Sequence, residues 1–108
     1  MDEQAKRLYE LKARVIQAAA QPVRLAIIDL LREGEWCVCD IAAHVGAGRS
    51  NVSRHLGVML KAGILTCRRD GLRAMYSLRT PCILGFLRCV TDVLREQLVT
   101  STADLGRL

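Results

Sequence analysis

Two cysteines one residue apart, Cys37 and Cys39, carry the most specific chemistry in this chain. Paired thiolates bind soft ions such as cadmium, lead, zinc and copper(I), and the metalloids arsenic(III) and antimony(III). The chain has five cysteines, a set that in a reducing compartment favours metal binding or redox chemistry over a disulfide framework. Because the pair lies directly before a helix-turn-helix pattern, a ligand on the sulfurs would strain or shift the helices that follow.

The helix-turn-helix pattern begins at Asp40, a predicted N-cap, and continues as a short helix over Ile41–Val45. A glycine-containing turn over residues 46–48 leads to a second helix that opens at Ser50 or Arg49. These lengths and this spacing match a DNA-binding helix-turn-helix. The second helix is expected to enter the major groove with its N-terminus first.

The outward side chains at the start of that helix are donors and acceptors suited to base edges or phosphates. Arg49 or Asn51 is predicted to contact a base, whereas Ser50 and Ser53 are predicted to hold phosphate. Two alternatives stay open: Ser50 only caps its helix, or His55 is packed or hydrogen-bonded near the next helix and makes no DNA contact. The predicted contacts in this helix are Arg49, Ser50, Asn51, Ser53, Arg54 and His55.

Positive charge is concentrated in the same part of the chain. The formal net charge is +5, yet residues 49–79 alone contain seven lysines and arginines against one acidic residue, Asp70. A basic block within a near-neutral chain is typical of nucleic-acid binding. A solvated basic face without a partner is the alternative.

The remaining pattern predicts a single domain over residues 1–100 with a weakly specified tail at 101–108. Apolar faces on the first and last helices are expected to form a two-fold interface, and the alternative is that both helices pack only on their own core. The predicted order begins with a helix over residues 2–19, a helix from Pro22 to about Gly34 and a short strand or lead-in over Trp36–Val38. The helix-turn-helix follows and ends near Ala62. Strands Ile64–Arg69 and Leu72–Leu78, joined by an Asp70-Gly71 turn, precede a last helix that is capped by Thr80, starts at Pro81 and ends near Val99.

This order is a winged helix-turn-helix, mainly α with a β-hairpin wing (an α+β fold), with dimerisation helices at both ends. Arg68, Arg69 and Arg73 line the hairpin and are predicted to contact the DNA backbone or minor groove.

Residues 22–78 resemble the ArsR/SmtB family of metal-sensing transcriptional repressors. The resemblance implies a homodimer on an inverted-repeat operator that an inducer releases, with Cys37 and Cys39 in the family's cysteine box. The matching segments are the start of the second helix (Pro22–Ile27), the cysteine box (Cys37–Ala42), the recognition helix (Asn51–Leu56) and the wing (Gly63–Leu65, Arg68–Gly71 and Tyr76–Leu78).

The chain departs from the family's complete metal sites. Ala42 occupies the position of a third cysteine found in the arsenite-sensing branch. The cadmium- and lead-sensing branch adds N-terminal cysteines from the other subunit, whereas this chain has no cysteine before Cys37. The family's site on the last helix lacks its histidine, because the histidines here are His44 and His55.

The third ligand therefore stays open among three further cysteines. Cys82 and Cys89 lie seven residues apart on the last helix, where they either form a second pair or pack as apolar side chains; Cys67 lies in a wing strand. Arsenic(III) or antimony(III), which accept three thiolates, is the preferred inducer. Cadmium or lead is a further candidate, and zinc ranks lower because it usually takes four ligands.

Other functional classes remain as alternatives at this point. A repressor of the same fold that responds to thiol oxidation or sulfide would use the same cysteine pair, and a constitutive architectural DNA-binding protein would have no inducer. No phosphate loop, carboxylate pair or activated nucleophile indicates an enzyme. The sequence predicts a cytoplasmic protein without a signal peptide or membrane span, which binds operator DNA and a second copy of itself.

Overall fold

The computed structural model describes residues 1–98, which form α-helices around a small antiparallel sheet. Their order is that of the predicted winged helix-turn-helix. The elements are α1 (Glu3–Ala19), α2 (Pro22–Leu30) followed by a 3-10 turn (Leu31–Glu33), β1 (Trp36–Cys37), α3 (Val38–Val45), α4 (Arg49–Lys61), β2 (Leu65–Asp70), β3 (Arg73–Leu78) and α5 (Ile83–Gln97).

The first helix begins at Glu3, one residue after the predicted start, and the second begins at Pro22 as predicted. The Asp2 carboxylate accepts a hydrogen bond of 2.7 Å from the Ala5 N–H, which satisfies one of the unpaired donors at the start of α1. Pro22 opens α2, where its missing N–H costs nothing. The Gln21 side chain caps that helix by accepting from the Arg24 N–H at 3.0 Å.

The third helix begins at Val38, three residues before the start at Ile41 that the predicted cap at Asp40 implies. Trp36 and Cys37 pair with β3 as a short strand, so the chain is extended up to Cys37, which becomes the N-cap of α3 with φ −85° and ψ 161°. Asp40 therefore lies inside the first turn, where its negative charge interacts favourably with the positive end of the helix dipole. Of the two predicted openings of the recognition helix, Arg49 is the one observed.

The wing is a two-stranded hairpin with β1 added at its edge, giving the strand order β1-β3-β2. The pairing of Asp70 with Arg73 places Gly71 and Leu72 at the centre of the turn, one residue later than the predicted Asp70-Gly71 turn. Gly71 has φ 62°, and a glycine with positive φ at the first central position is the feature of a type II′ hairpin turn.

The hydrophobic core lies between the helix-turn-helix, α2 and the start of the wing. The apolar spacing of α4 also predicts that Leu60 faces inward, yet Leu60 is 36% exposed. The side chains fully shielded from solvent are Ile27, Ile28, Ile41, Val52, Leu56, Met59, Ile64 and Leu65.

The last helix starts at Ile83, later than the predicted start at Pro81. The Ile83 and Leu84 N–H groups donate to the carbonyls of Thr80 and Pro81 at 3.1 and 3.0 Å, so Pro81 and Cys82 form a tight turn before regular helix begins. The predicted end near Val99 and the tail at 101–108 lie outside the described residues. Within residues 1–98, no helix is long and apolar enough to cross a membrane.

Replacing Leu56 by alanine should lower the free energy of unfolding by about 2–5 kcal/mol, because the side chain is fully buried and its loss leaves a cavity. Leu72→Ala is the matched control, since Leu72 is 99% exposed at the tip of the wing. Urea denaturation of both variants at one protein concentration measures the difference. Equal stability of the two variants would contradict the assignment of Leu56 to the core.

Candidate thiol site and nucleic-acid interface

The two cysteines of the pair have different backbones and different exposure. Cys37 is extended, caps α3 and is 5% exposed, whereas Cys39 is the second residue of the helix and is exposed. The switch from strand to helix between them is the departure from regular helix that a shared ligand requires. Both residues line one cleft, so the structure brings the predicted pair to a common surface.

That cleft has a volume of about 380 Å³ and lies between the start of α3, the start of α4 and the wing. Its charged lining consists of one carboxylate, Asp40, and three guanidinium groups. Arg49 and Ser53 come from the recognition helix. The thiols thus share a cavity wall with the end of the helix predicted to read DNA. The three arginines are Arg49, Arg69 and Arg73.

The structure does not assemble a complete metal site within residues 1–98 of one chain. No group of three or more His, Cys, Asp and Glu side chains in this part is arranged to hold a metal ion. Cys82 immediately precedes α5, Cys89 lies within it, and both are exposed. Cys67 is exposed on β2, directly opposite Tyr76. Burial, with a smaller contribution from Cys67, raises the pKa of Tyr76.

The predicted DNA-reading side chains lie in the first two turns of α4. Arg49, Ser50, Ser53 and Arg54 are exposed, and Asn51 is half-buried. The Arg54 Nη2 group donates to the Asn51 Oδ1 atom at 3.0 Å, which orients the Asn51 amide. Ser50 makes no capping hydrogen bond, because the N-cap of α4 is Gly48.

His55 has an internal partner that sequence reasoning did not identify. The Arg24 Nε group donates to His55 Nδ1 at 3.0 Å, and the Arg24 Nη1 group donates to the Ala18 carbonyl at 3.3 Å. Partial burial, followed by the positive charges of Arg24 and Arg54, lowers the pKa of His55. An imidazole that accepts at Nδ1 carries its proton on Nε2, so only Nε2 remains for a contact with DNA.

The wing arginines differ in their surroundings. Arg68 forms a bidentate pair with Glu35, with Nε–Oε2 and Nη2–Oε1 distances of 2.7 Å. Its hydrogen bonds lower the pKa of Glu35, and the carboxylate raises the pKa of Arg68. Within the described residues, Arg69 and Arg73 make no ion pair. Nothing in the sequence indicates the contact between Glu35 and Arg68, because 33 residues separate them.

A helix-turn-helix followed by an arginine-bearing hairpin defines the winged helix-turn-helix class of DNA-binding regulators. Residues 21–66 match the model of a family described as bacterial regulatory protein, arsR family. The chain is similar to the uncharacterized HTH-type transcriptional regulator Rv0081 of Mycobacterium tuberculosis, with 37% identity over 102 residues. The match covers 94% of this chain and 90% of the relative. The chain is also similar to the arsenical resistance operon repressor of Staphylococcus xylosus, with 31% identity over 70 residues. That match covers 65% of this chain and 67% of the relative.

Solved structures give the same result. The homodimeric winged helix-turn-helix DNA-binding domain of a possible ArsR-family regulator from Mycobacterium bovis superposes with a TM-score of 0.79 at 31% identity, covering 91% of each chain. The chain therefore belongs to the arsR family of bacterial regulatory proteins. Membership confirms the predicted fold and family and the prediction that the chain is not an enzyme.

Replacing His55 by glutamine should reduce the pH dependence of stability. As the pH falls below about 6.5, the unfolded chain takes up a proton at His55 before the folded chain does, because the folded pKa is lowered. The free energy of unfolding therefore decreases until the pH has passed the folded pKa. Urea denaturation between about pH 5 and pH 8 should show wild type losing stability relative to His55→Gln, and parallel curves would contradict this.

Proposed function

We propose that this chain is a homodimeric transcriptional repressor that binds an inverted-repeat operator and is released by a thiophilic metal(loid) at Cys37 and Cys39. Arsenic(III) or antimony(III) is the preferred inducer. The observation that carries the proposal is the shared cleft, in which both cysteines lie beside Arg49 and Ser53 of the recognition helix. The arsenical resistance repressor among the relatives supports this choice of ligand.

The homodimer is supported by apolar surface on the two terminal helices. α1 buries only Ala18 and Ala19, and α5 has no fully buried residue. A second copy packed on these faces would remove that surface from water. Two recognition helices would then meet successive major grooves about 34 Å apart, as an inverted repeat requires. The exposed apolar side chains are Leu8, Tyr9, Leu11, Val15 and Ile16 on α1, and Phe86, Val90, Val93 and Leu94 on α5.

For DNA recognition, we assign the base contact to Arg49 or Asn51, and phosphate contacts to Ser50, Ser53 and Arg54. Exposure of all but the half-buried Asn51 at the start of α4 supports this assignment. In the wing, Arg69 and Arg73 are exposed and suited to the DNA backbone or minor groove. Arg68 would contribute only when it leaves Glu35, and His55 only through Nε2.

The proposed mechanism is thermodynamic linkage between the thiol pair and the DNA-reading helix. An inducer bound to both sulfurs changes the backbone at the start of α3, and α3 packs directly against α4. The altered position of Arg49 and Ser53 then weakens DNA binding. Because coupling is reciprocal, DNA weakens inducer binding by the same factor.

The candidates for the third ligand of a three-thiolate site are Cys67, Cys82 and Cys89, from the same chain or its partner. Cadmium or lead at the same pair is the alternative inducer. A thiol-redox or sulfide-responsive repressor is a second candidate function, and the exposure of Cys39 favours it, because an accessible sulfur can be oxidised.

Changing both Cys37 and Cys39 to serine should leave operator binding intact and abolish release by arsenite, because the variant keeps the DNA-reading residues and loses the thiolates. Fluorescence anisotropy of operator DNA, titrated in parallel with arsenite, cadmium, lead, zinc and an oxidant, measures this. Ala43→Ser is the control, because it places a serine at an exposed position of α3 and keeps every cysteine. Arsenite release that persists in the double variant would exclude the pair as the inducer site.

Glu35→Gln should strengthen DNA binding and make it more salt-dependent, because Arg68 is freed to contact a phosphate. The slope of log K against log salt should steepen by about 0.9, the value for one additional phosphate contact. Glu33→Gln is the matched control, since it removes the same charge two residues away without touching an arginine of the wing. Equal slopes for both variants would show that only net charge matters.

A further inference from the structure

The charge of the thiol cleft indicates which small molecules it attracts. Arg49, Arg69 and Arg73 line it with Asp40 as the single carboxylate. No side chain within residues 1–98 forms an ion pair with any of these three arginines. The cleft is therefore a net positive cavity of about 380 Å³, within the range of small-molecule sites.

Only one of the two thiols in this cleft is accessible to a molecule larger than an ion. Cys39 is exposed in the first turn of α3, whereas Cys37 is 5% exposed. A reagent held by the guanidinium groups would thus meet the Cys39 sulfur first.

We propose that Cys39 is a modification site for low-molecular-weight disulfides that carry carboxylates. The guanidinium groups of Arg49, Arg69 and Arg73 would attract these carboxylates and orient the disulfide toward Cys39. Guanidinium groups suit this role because their fork of N–H donors matches a carboxylate. Modification of Cys39 needs neither bound metalloid nor bound DNA.

The reaction is thiol–disulfide exchange. Cys39 releases its proton to solvent, and its thiolate sulfur attacks one sulfur of the disulfide. The new bond joins Cys39 Sγ to that sulfur while the original S–S bond breaks, and the other half leaves as a thiolate that takes up a proton. Cys39 is oxidised to a mixed disulfide, and the low-molecular-weight disulfide, which is the oxidant, is reduced.

The consequence for the regulator rests on the proposed function. A carboxylate carried on Cys39 would occupy the guanidinium groups of Arg49, Arg69 and Arg73, which we assign to DNA. A neutral adduct at the same sulfur would leave those groups free. An anionic thiol pool that becomes oxidised would then release this regulator from DNA without any metalloid.

The test compares three disulfides of similar size: anionic dithiodiglycolate, neutral hydroxyethyl disulfide and cationic cystamine. The reduced 108-residue chain, without DNA or metalloid, is reacted with each disulfide, and mass spectrometry of the peptide that contains Cys39 gives the rate. We expect the rates to fall in the order anionic, neutral, cationic after correction for each reagent's rate with a small free thiol. Rising salt should slow only the anionic reagent and speed the cationic one.

The double variant Arg69→Gln/Arg73→Gln identifies the source of that selectivity. Each arginine should contribute about fivefold, the scale of two unit charges about 4 Å apart in water, so the ratio of anionic to neutral rates should fall at least about tenfold. Arg79→Gln/Arg88→Gln removes the same charge outside the cleft and should leave the ratio unchanged. An unchanged neutral rate shows that each variant keeps the fold around Cys39.

Three results would overturn the site: a corrected ratio near one in wild type, equal ratios in both double variants, or no modification of Cys39. All are distinct from failure of the proposed function, which the arsenite titration of operator binding tests separately. A chain that ignores arsenite and still shows anion-selective modification of Cys39 would keep this inference and lose the metalloid assignment.

Discussion

The pairing of β1 with β3 is the constraint on which the rest of the site depends. It holds Trp36 and Cys37 extended against Tyr76 and Met75 up to the residue where α3 begins. Cys37 is therefore strand and helix cap at once, and Cys39 lies one step into the helix. Without that strand, the cysteines would lie in regular helix or loop, and they would have no fixed relation to the recognition helix behind them or to the wing.

The thiols are linked from two sides to the elements that we propose read DNA. On one side, α3 contacts α4 directly. On the other, the wing contributes Arg69 and Arg73 to the lining of the cleft. The bidentate contact from Glu35 to Arg68 adds a further link between the segment before Cys37 and strand β2. A change of backbone at residues 35–39 therefore has two routes to the surface proposed for DNA, one through helix packing and one through the wing.

Local signals in the sequence were sufficient for most of the fold. Apolar periodicity, Pro22 and the glycines that follow the helices predicted the recognition helix and the hairpin strands to within one residue, and the start of α3 to within three. The errors arose where contacts between distant residues determine the boundary of an element. The start of α3 depends on the pairing of β1 with a strand almost 40 residues later. The Asp70-Gly71 turn was misplaced because strand register, and not dipeptide preference, selects the central residues.

The candidate site was only partly visible in the sequence. The Cys37–Cys39 spacing indicated soft-ligand chemistry, and the basic block indicated the DNA-binding face. That Arg49, Arg69 and Arg73 meet at the thiols could not be predicted, because it requires the relative position of α3, α4 and the wing. The internal partners of His55 and Arg68, both more than 30 residues distant, likewise left no local signal.

The central claim is that the thiol pair and the DNA-reading helix are energetically coupled, and a closed thermodynamic cycle tests it most directly. Operator affinity is measured with and without saturating arsenite, and arsenite affinity with and without saturating operator DNA, for the reduced protein. The account predicts that both affinities fall by the same factor, on the order of 5- to 150-fold. Tight arsenite binding at Cys37 and Cys39 that leaves operator affinity unchanged would contradict it.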